Sequence, residues 1–233
     1  MRAFIITGSS YGIGKALTEI LLKDSQNRVL GISRTQSITH QNYSHQTLDL
    51  NEIDEIESFD FPDWIGMNQI SLIHNAGWIG PIQKIGNQEL GSISSAYIIN
   101  LIAPASLSNK FIKKYKSHRA QKIILSISSG AAKVPIAGWN SYCSAKAGLD
   151  MLSKCISLES PEILSLAIAP GKVDTEMQST IRYSDENEFP RLKEFQQYYK
   201  DDALSKPTEV AEKYKLILDN PEAYISIDHL TDI

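Results

Sequence analysis

The sequence predicts an α/β fold in which one parallel sheet carries helices on both faces. Short apolar runs rich in β-branched residues alternate with segments of helical length along the chain. Because parallel strands need a crossover, usually a helix, this alternation is typical of β-α-β units. A glycine-rich turn directly follows the first run, as in doubly wound sheets that bind ligands at their carboxyl edge.

Seven strands are predicted, five from strong apolar runs and two from weaker ones. Apolar residues at helical spacing begin at Ile13 and again at Ala145, which indicates helices between the strands. The strong runs are residues 3–7, 28–33, 70–74, 122–128 and 163–169, and the weaker ones are residues 46–49 and 223–227.

Length and composition favour one globular domain that spans residues 1–233. The chain is 42% hydrophobic and 21% charged, and its formal net charge is −4. Without a long run of Lys or Arg, neither nucleic acid nor an anionic membrane is expected as a partner. The opening apolar run is too short for a signal-peptide core, and we expect a cytoplasmic protein.

The two cysteines are predicted to be packing groups. Cys143 and Cys155 lie 12 positions apart on one predicted helix, which separates them by roughly 18 Å and excludes a disulfide between them. No cluster of residues has metal-ligand spacing, so no metal site is predicted.

Residues 178–206 differ in composition from the rest of the chain. This stretch is polar but contains five aromatic residues, and it follows the sixth strand, where a parallel sheet places loops over its ligand crevice. We expect a mobile substrate lid here. The alternative is an ordinary helical insertion that packs on the domain.

Residues 7–14, Thr-Gly-Ser-Ser-Tyr-Gly-Ile-Gly, lie between the first strand and the first helix. Glycines let the backbone approach a pyrophosphate closely, and the helix N-terminus supplies N–H donors and a favourable dipole. A dinucleotide site is predicted, although a glycine triplet by itself is also typical of a tight turn.

Arg34 follows the second strand, where a dinucleotide fold contacts the adenosine ribose. An acidic residue there would favour the free 2′-hydroxyl of NAD, whereas a guanidinium offers two donors to a 2′-phosphate. NADPH is therefore the expected cofactor. An exposed surface arginine without a ligand is the alternative.

Two further segments are predicted to line the same crevice. Asp49 ends the weak third strand and is placed to bond the adenine edge. Asn75-Ala76-Gly77 ends the fourth strand at the same face of the sheet. Asn75 is expected mainly to support the crevice, since it can also serve a turn.

Tyr142 and Lys146 are spaced i, i+4 on a predicted helix, so their polar tips share one face. A tyrosine has a pKa of about 10 and needs a neighbouring cation to exchange a proton near neutral pH. Ser129 ends the fifth strand and is placed to bring a hydroxyl beside the tyrosine. The alternatives are a solvated helix edge and a strand-end serine that satisfies loop backbone.

These motifs, with Asn100 and Pro170-Gly171, resemble the short-chain dehydrogenase/reductase family. They occur in family order and span nearly the whole chain. The resemblance implies a strand order of 3-2-1-4-5-6-7, a catalytic triad of Ser129, Tyr142 and Lys146, and a place for Asn100 in a proton relay. It also implies cofactor contacts from the loop at residues 170–175.

Residues 138–147 are similar to the sepiapterin reductase branch of the family, whose bacterial relatives include benzil reductases. Residues 128–133 and 174–177 resemble the benzil reductase (benzoin-forming) group most closely. In sepiapterin reductases an aspartate near the C-terminus holds the pterin, and Asp228 is the nearest match. Many NADPH-preferring members carry a basic residue where this chain has Tyr11, so the expected NADPH preference depends on Arg34.

The resemblance implies an NADPH-dependent carbonyl reductase (EC 1.1.1.-) that acts on a ketone or diketone. Reduction of a pterin side chain is the alternative within enzymes, and a non-catalytic NADPH-sensing protein is the alternative of another class. A homodimer through helices at residues 88–116 and 141–158 is expected, with a tetramer also open. The predicted cofactor-binding residues are Gly8, Ser10, Tyr11, Gly12, Ile13, Gly14, Arg34, Asp49, Leu50, Asn75, Ala76, Gly77, Tyr142, Lys146, Pro170, Gly171, Val173 and Thr175; the predicted substrate-binding residues are Ser129, Trp78, Trp139 and Asp228.

Overall fold

The computed structural model describes residues 1–225 and 228–232. Within these residues, six strands form one sheet in the order β3-β2-β1-β4-β5-β6. All neighbouring strands pair in parallel. The strands are β1 (Arg2–Thr7), β2 (Asn27–Ser33), β3 (Tyr43–Thr47), β4 (Gln69–His74), β5 (Gln121–Ile127) and β6 (Ile163–Ile168).

Eight α-helices are present in the part of the chain that the structure describes. A π-helical turn, Ile98–Ile102, joins the third helix to the fourth without a break. The helices are α1 (Gly12–Leu21), α2 (Ile53–Ser58), α3 (Leu90–Tyr97), α4 (Ala103–Tyr115), α5 (Asn140–Glu159), α6 (Glu176–Arg182), α7 (Leu192–Lys200) and α8 (Pro207–Asp219).

Helices cover both faces of the sheet, which confirms the predicted fold class. Successive strand residues point to opposite faces, so Phe4 and Ile5 of β1 enter different cores. Phe4 packs in one core with Leu17 of α1 and Tyr214 of α8. Ile5 packs in the other with Phe111 of α4. All five side chains are fully buried, and each such burial contributes roughly 1.5–3 kcal/mol to folding.

The predicted seventh strand is wrong for the residues that the structure describes. Residues Pro221–Tyr224 follow α8 and form a 3₁₀ turn. The turn begins with a proline, which is favoured at the first helical position, and Glu222 and Ala223 are good helix formers. Residues 226 and 227 of the predicted strand lie outside the described residues. Beyond them, His229 makes an isolated parallel bridge to Ala169 at the end of β6, and among the described residues this bridge lies where the seventh strand was expected.

The third strand lies a few residues before its predicted position. It spans Tyr43–Thr47 because Tyr43 pairs with Val29 and Thr47 pairs with Ser33 of β2. The strand is mostly polar and lies at the sheet edge, so it lacks the apolar run that marks the other strands. Asp49 consequently follows the strand by two residues instead of ending it.

The helical stretch Leu90–Tyr115 is long and apolar enough, by length and composition alone, to cross a membrane. Its inner side packs on the sheet through Leu107 and Phe111, which are fully buried, whereas Leu90 and Ile102 are exposed. A helix that covers one sheet face in this way is the core helix of a globular domain with an apolar outer edge.

Helix α5 has an exposed apolar side as well. Met151 and Leu158 are exposed, and so is Cys155, whereas Cys143 is half-buried. The expectation that both cysteines are packing groups is therefore wrong for Cys155. Whether Cys155 is buried depends on which side of α5 faces the sheet. The sequence of α5 contains many small residues, and their spacing does not indicate that side.

Residues 178–206 contain most of α6, the whole of α7 and their connections. The stretch returns to the domain through a parallel bridge between Val173 and Ser205. Its apolar side chains Ile181, Phe189 and Phe195 form a third buried cluster with Trp139. The segment thus lies over the carboxyl end of the sheet, and its mobility stays a prediction.

Candidate active site

A cavity of about 1020 Å³ opens at the carboxyl ends of the strands. It extends from the turn between β1 and α1 to the segment that contains α6 and α7. Ligand cavities in proteins commonly have volumes of roughly 300–1,000 Å³, so this one is large enough for a dinucleotide and a small substrate. Twenty of the predicted site residues line it: Gly8, Ser10, Tyr11, Gly12, Ile13, Arg34, Asp49, Leu50, Asn75, Ala76, Gly77, Trp78, Ser129, Trp139, Tyr142, Lys146, Pro170, Gly171, Val173 and Thr175.

The turn between β1 and α1 requires its glycines for two different reasons. Gly8 and Gly12 have positive φ angles of 68° and 55°, a region that side-chain-bearing residues rarely adopt. Gly14 instead needs space, because a Cβ there would lie 2.3 Å from the Gly8 carbonyl oxygen and from Asn75 Nδ2. Gly14 therefore shapes the turn without lining the cavity.

The amino end of α1 fits a pyrophosphate. Tyr11 precedes the helix, and no described side chain caps the first turn, which also contains no acidic residue. The first N–H groups of a helix have no partner within the helix, and their dipole favours an anion. The backbone donors of Gly12 and Ile13 at the cavity wall can therefore hold a phosphate.

Asn75 anchors β4 to the glycine turn. Its Nδ2 donates to the carbonyl oxygens of Thr7 and Gly8, at 2.9 Å each. The Thr7 hydroxyl accepts from the backbone N–H groups of Asn75 and Ala76 at 3.1 Å. These contacts support the wall of the cavity, which is the role expected for Asn75.

The carboxyl end of β2 carries a cluster of hydroxyl groups beside Arg34. Ser10 Oγ donates to Ser33 Oγ at 2.7 Å, and Ser33 Oγ also lies 2.9 Å from His45 Nε2. Arg34 is exposed at the cavity rim and Thr35 lines it. A guanidinium offers two parallel N–H donors, so Arg34 at this rim suits a phosphate group.

Ser129, Tyr142 and Lys146 meet in the middle of the cavity. Ser129 follows β5, and its hydroxyl lies near enough to Tyr142 to lower the pKa of the phenol. Lys146 lies one turn after Tyr142 on α5 and its Nζ is 5.8 Å from the centre of the tyrosine ring. Both α5 residues are buried, at 6% and 3% exposure. The structure thus brings together a hydroxyl, a phenol and an amine from two elements.

The pKa values of this group follow from burial. Burial raises the pKa of Tyr142 to about 12, with the Ser129 hydrogen bond acting in the opposite direction. Burial lowers the pKa of Lys146 to about 8, with the negative charge of Asp150 acting in the opposite direction. Near neutral pH, Tyr142 is therefore a protonated phenol and Lys146 is mostly an ammonium.

Lys146 has capacity to bind a ligand. Its Nζ donates to the Ile127 carbonyl oxygen at 2.8 Å, and an ammonium has three donors. The remaining donors face a cavity that Lys146 itself lines. This arrangement fits a polyhydroxyl group such as a ribose.

Asn100 lies just behind the cavity, in the π-helical turn. Its side chain is fully occupied: Nδ2 donates to the carbonyl oxygens of Trp78 and Ala96, and Oδ1 accepts from Trp78 N–H at 3.1 Å. A Cβ at Gly77 would lie 3.2 Å from Asn100 Oδ1 and 3.7 Å from Lys146 Nζ. Asn100 is thus a near neighbour of Lys146, with a side chain that holds the Trp78 backbone.

Apolar and aromatic side chains surround the end of the cavity next to Tyr142. Trp139 packs edge-on to Tyr142 and stacks on Phe189 at 5.2 Å between ring centres. Phe195 and Tyr198 of α7 line this end, but Tyr183 and Tyr199 do not. We call this end of the cavity the chamber; the lining residues that pack in one apolar cluster with Tyr142 are Ile79, Ala131, Ile136, Trp139, Met177, Ile181, Phe195 and Tyr198.

Asp228 is not brought into the cavity. Its side chain is 63% exposed, and its Oδ2 lies 3.0 Å from Lys133 Nζ. The residues beside it, His229 and Thr231, line the cavity instead. The alignment that singled out Asp228 compared sequence position only, whereas the bridge to Ala169 sets which side chains of this segment face inward.

Sequence reasoning missed several residues that line the cavity. Met177 and Gln178 closely follow the loop at residues 170–175, so their position in the chain could have indicated them. His229 and Thr231 had no such indication, because they reach the cavity only by the return of the chain to β6.

A model of the short chain dehydrogenase family matches residues 2–186. The chain belongs to the short-chain dehydrogenase family. Benzil reductase ((S)-benzoin forming) of Bacillus subtilis is 34% identical to it over 91% of this chain and 90% of the relative. The enzyme of the same description from Bacillus cereus is 34% identical over 95% and 96%. Sepiapterin reductase of Rattus norvegicus is 27% identical over 76% of each chain.

Solved structures of the family have the same fold. A short-chain dehydrogenase/reductase from Saccharomyces cerevisiae superposes with a TM-score of 0.81, at 23% identity, over 93% of this chain and 90% of the other. Serine dehydrogenase with NADP+ gives 0.79 at 20% identity over 97% and 92%. 4-Hydroxyisoleucine dehydrogenase with NADH gives 0.78 at 19% identity over 98% and 95%.

These relatives confirm the predicted family and the predicted enzyme class, an oxidoreductase that interconverts a carbonyl and an alcohol. Short-chain dehydrogenases bind a nicotinamide dinucleotide, and the glycine turn, the donors of α1 and the free donors of Lys146 fit such a group. The finer choice between NADH and NADPH depends on the residues at the end of β2.

Proposed function

We propose that this short-chain dehydrogenase is an NADPH-dependent reductase of a ketone or diketone, similar to benzil reductase. The observation that carries the proposal is the grouping of Ser129, Tyr142 and Lys146 in one cavity, where Trp139 packs edge-on to Tyr142. The 34% identity to two benzil reductases over nearly the whole chain supports the same substrate class.

Tyr142 is the proposed proton donor. A reduction adds one hydride to the carbonyl carbon and one proton to the oxygen, and a buried phenol that stays protonated at neutral pH has that proton to give. Bound NADPH supplies the hydride. Ser129 orients the carbonyl oxygen next to the phenol, and the Lys146 ammonium stabilises the phenolate that remains.

NADPH is the proposed cofactor because the end of β2 can hold a 2′-phosphate. Arg34 supplies a cation at the cavity rim, and Ser10, Ser33 and Thr35 line the same part of the cavity with hydroxyl groups. Residues 33–35 contain no carboxylate to accept from the free 2′-hydroxyl of NADH. Both features favour the phosphorylated cofactor.

The chamber favours a flat aromatic substrate over a pterin. Trp139 packs edge-on to Tyr142, and Trp78 and Phe195 add aromatic surface to the lining of the same cavity. The pterin alternative came from the resemblance of residues 138–147 to sepiapterin reductases, with Asp228 as the expected pterin anchor, but that carboxylate pairs with Lys133 outside the cavity. The pterin alternative therefore lacks its expected anchor.

The test is the loss of NADPH absorbance with benzil and, separately, with sepiapterin. Benzil should be reduced, faster with NADPH than with NADH. The Tyr142→Phe variant should lower kcat by about 100-fold or more, because general acid catalysis contributes roughly 10²–10⁴-fold, while NADPH binding measured by fluorescence should persist.

Each other outcome selects an alternative. Turnover of sepiapterin but not benzil would indicate a pterin reductase. NADPH binding without turnover of either compound would favour a cofactor-sensing protein, provided that Tyr142→Phe leaves that binding unchanged. Equal turnover by the wild type and Tyr142→Phe would contradict the role proposed for Tyr142.

We also propose that the chain forms a homodimer. Ile102, at the end of the π-helical turn before α4, is exposed, and so are Met151 and Leu158 of α5. Scattered exposed apolar residues are ordinary, but their concentration on two adjacent helices of one face is typical of an interface.

A further inference from the structure

A buried carboxylate lies directly behind the proposed reacting centre. Asp150 follows Lys146 by one turn of α5 and is 7% exposed. Its Oδ1 accepts a hydrogen bond from the hydroxyl of Ser128, the residue before Ser129. A buried charge is costly unless it is paired and hydrogen-bonded, so the position of Asp150 requires an explanation.

The partner of Asp150 is a shared cation. Lys133 Nζ lies 3.2 Å from Asp150 Oδ2 and 3.0 Å from Asp228 Oδ2. We call Asp150, Lys133 and Asp228 the charge network. It joins α5, the turn after β5 and the segment that returns to β6. With two carboxylates and one ammonium, the network carries one net negative charge beside Lys146.

Lys146 needs such a neighbour. Burial favours the neutral amine and the charge of Asp150 opposes this change, so that the pKa of Lys146 is about 8 with both influences present. The other titratable groups near Lys146 supply no negative charge that would favour its ammonium form. His74, at the end of β4, is kept neutral by burial, and the phenols of Tyr142 and Tyr214 have raised pKa values.

We propose that Asp150 is a positioning residue that keeps Lys146 in its charged form, and that Lys133 moderates this effect. Ser128 fixes the orientation of the Asp150 carboxylate, while Asp228 competes for Lys133 and leaves Asp150 partly uncompensated. The role rests on the proposed function, in which a charged Lys146 stabilises the phenolate of Tyr142. It also gives Asp228 a part in catalysis that involves no contact with substrate.

The proposal predicts that two variants of the charge network shift the pKa of Lys146 in opposite directions. Asp150→Asn keeps an acceptor for Ser128 but removes the negative charge, so the pKa of Lys146 should fall by about one pH unit. Lys133→Met leaves the charge of Asp150 without its cation, so the pKa of Lys146 should rise. Damage to the fold would not move one group in two opposite directions.

The experiment follows the titration of lysine side chains by NMR in full-length protein with ¹³C-labelled lysine. The Lys146 signal is assigned by its loss in Lys146→Arg, and in the wild type it should titrate near pH 8. Asp219→Asn is the matched control: it removes the same charge from an ion-paired aspartate, which contacts Arg2 and Lys215 at the opposite end of the sheet, and should cause no shift.

A shift in Asp150→Asn no larger than that of Asp219→Asn would overturn the proposal, as would shifts of the same direction in Asp150→Asn and Lys133→Met. If Asp150→Asn does not fold, Lys133→Met still tests the proposal, because Lys133 is half-exposed and its replacement should leave the fold intact. A Lys146 pKa that does not rise in Lys133→Met would then contradict it. No substrate or cofactor is added, so the result is independent of whether the protein reduces benzil.

Discussion

At the scale of single residues, burial decides the protonation of the groups around the cavity. The Tyr142 phenol is held in its protonated form, and the pKa of Lys146 is lowered to about 8, which leaves it mostly an ammonium at neutral pH. His74 extends the same effect to the end of β4, where its Nε2 lies 2.8 Å from Ser108 Oγ. Burial lowers the pKa of His74 to about 3, and the charge of Lys146 acts in the same direction.

His74 should make the stability of the fold depend on pH. An unfolded chain binds a proton at this histidine below a pKa of about 6.5, whereas the folded chain stays neutral there down to about 3. Between these values the unfolded state binds more protons, so stability is complete above about 6.5 and is lost as the pH falls. The expected loss by pH 5 is about 2 kcal/mol.

Urea unfolding at about pH 7 and about pH 5 measures this loss. The His74→Asn variant cannot titrate at this position, so its free energy of unfolding should change less between the two pH values. His40→Asn, at an exposed histidine, should behave like the wild type. The same pH dependence in the wild type and His74→Asn would mean that His74 is not the group responsible.

At the scale of elements, two sets of contacts hold the segment at residues 178–206 over the cavity. At one side, Glu188 accepts from Lys84 N–H at 2.7 Å and from Asn87 Nδ2 at 2.6 Å. At the other, Lys172 Nζ lies 3.4 Å from the centre of the Tyr198 ring. The first contact joins the segment to an exposed loop, so it is the one expected to open.

Glu188→Ala should loosen this segment. Loss of two exposed hydrogen bonds to a carboxylate corresponds to about 1 kcal/mol, or roughly a fivefold change in the closed-to-open ratio. We expect a KM for the ketone higher by about that factor and faster proteolytic cleavage between residues 183 and 191. Glu186→Ala, which breaks only the pair with Lys193 inside the segment, serves as control. Identical cleavage of both variants and the wild type would favour a fixed insertion over a lid.

At the scale of the whole molecule, one sheet separates two buried cores, and the outer side of one layer remains apolar. Leu158 is 83% exposed and lies on the same helix as Met151 and Cys155. Helix α5 also carries Tyr142 and Lys146, so a partner that packs on its outer side would restrain the helix that holds the reacting groups.

The proposed dimer predicts a sharp response to a charge on α5. Wild-type protein should have twice the monomer mass by light scattering at micromolar concentration, and Leu158→Glu should weaken association by tenfold or more, because a carboxylate would be desolvated in the interface. Ile65→Glu, at a similarly exposed apolar residue on the loop before β4, should leave the mass unchanged. A monomeric wild type would exclude this interface.

Local patterns in the sequence determined the fold class and much of the cavity wall. Strand and helix periods, the glycine turn, Arg34 after β2 and the i, i+4 pair of Tyr142 and Lys146 each depend on residues that are close in the chain. Such short-range features follow from backbone geometry, so they can be predicted before any packing is known.

Only the tertiary structure decided which distant segments meet. Lys133, Asp150 and Asp228 lie far apart in sequence, and no periodicity indicates that one ammonium contacts both carboxylates. The bounds of the edge strand β3 and the seventh strand, which the described residues do not form, were predicted wrongly for the same reason. Pairing with a neighbouring strand, and not local composition, sets where weak strands form. His229 and Thr231 face the cavity because the described part of the last segment is held by a bridge between His229 and Ala169. This is a backbone contact between distant residues, and no local sequence pattern predicts it.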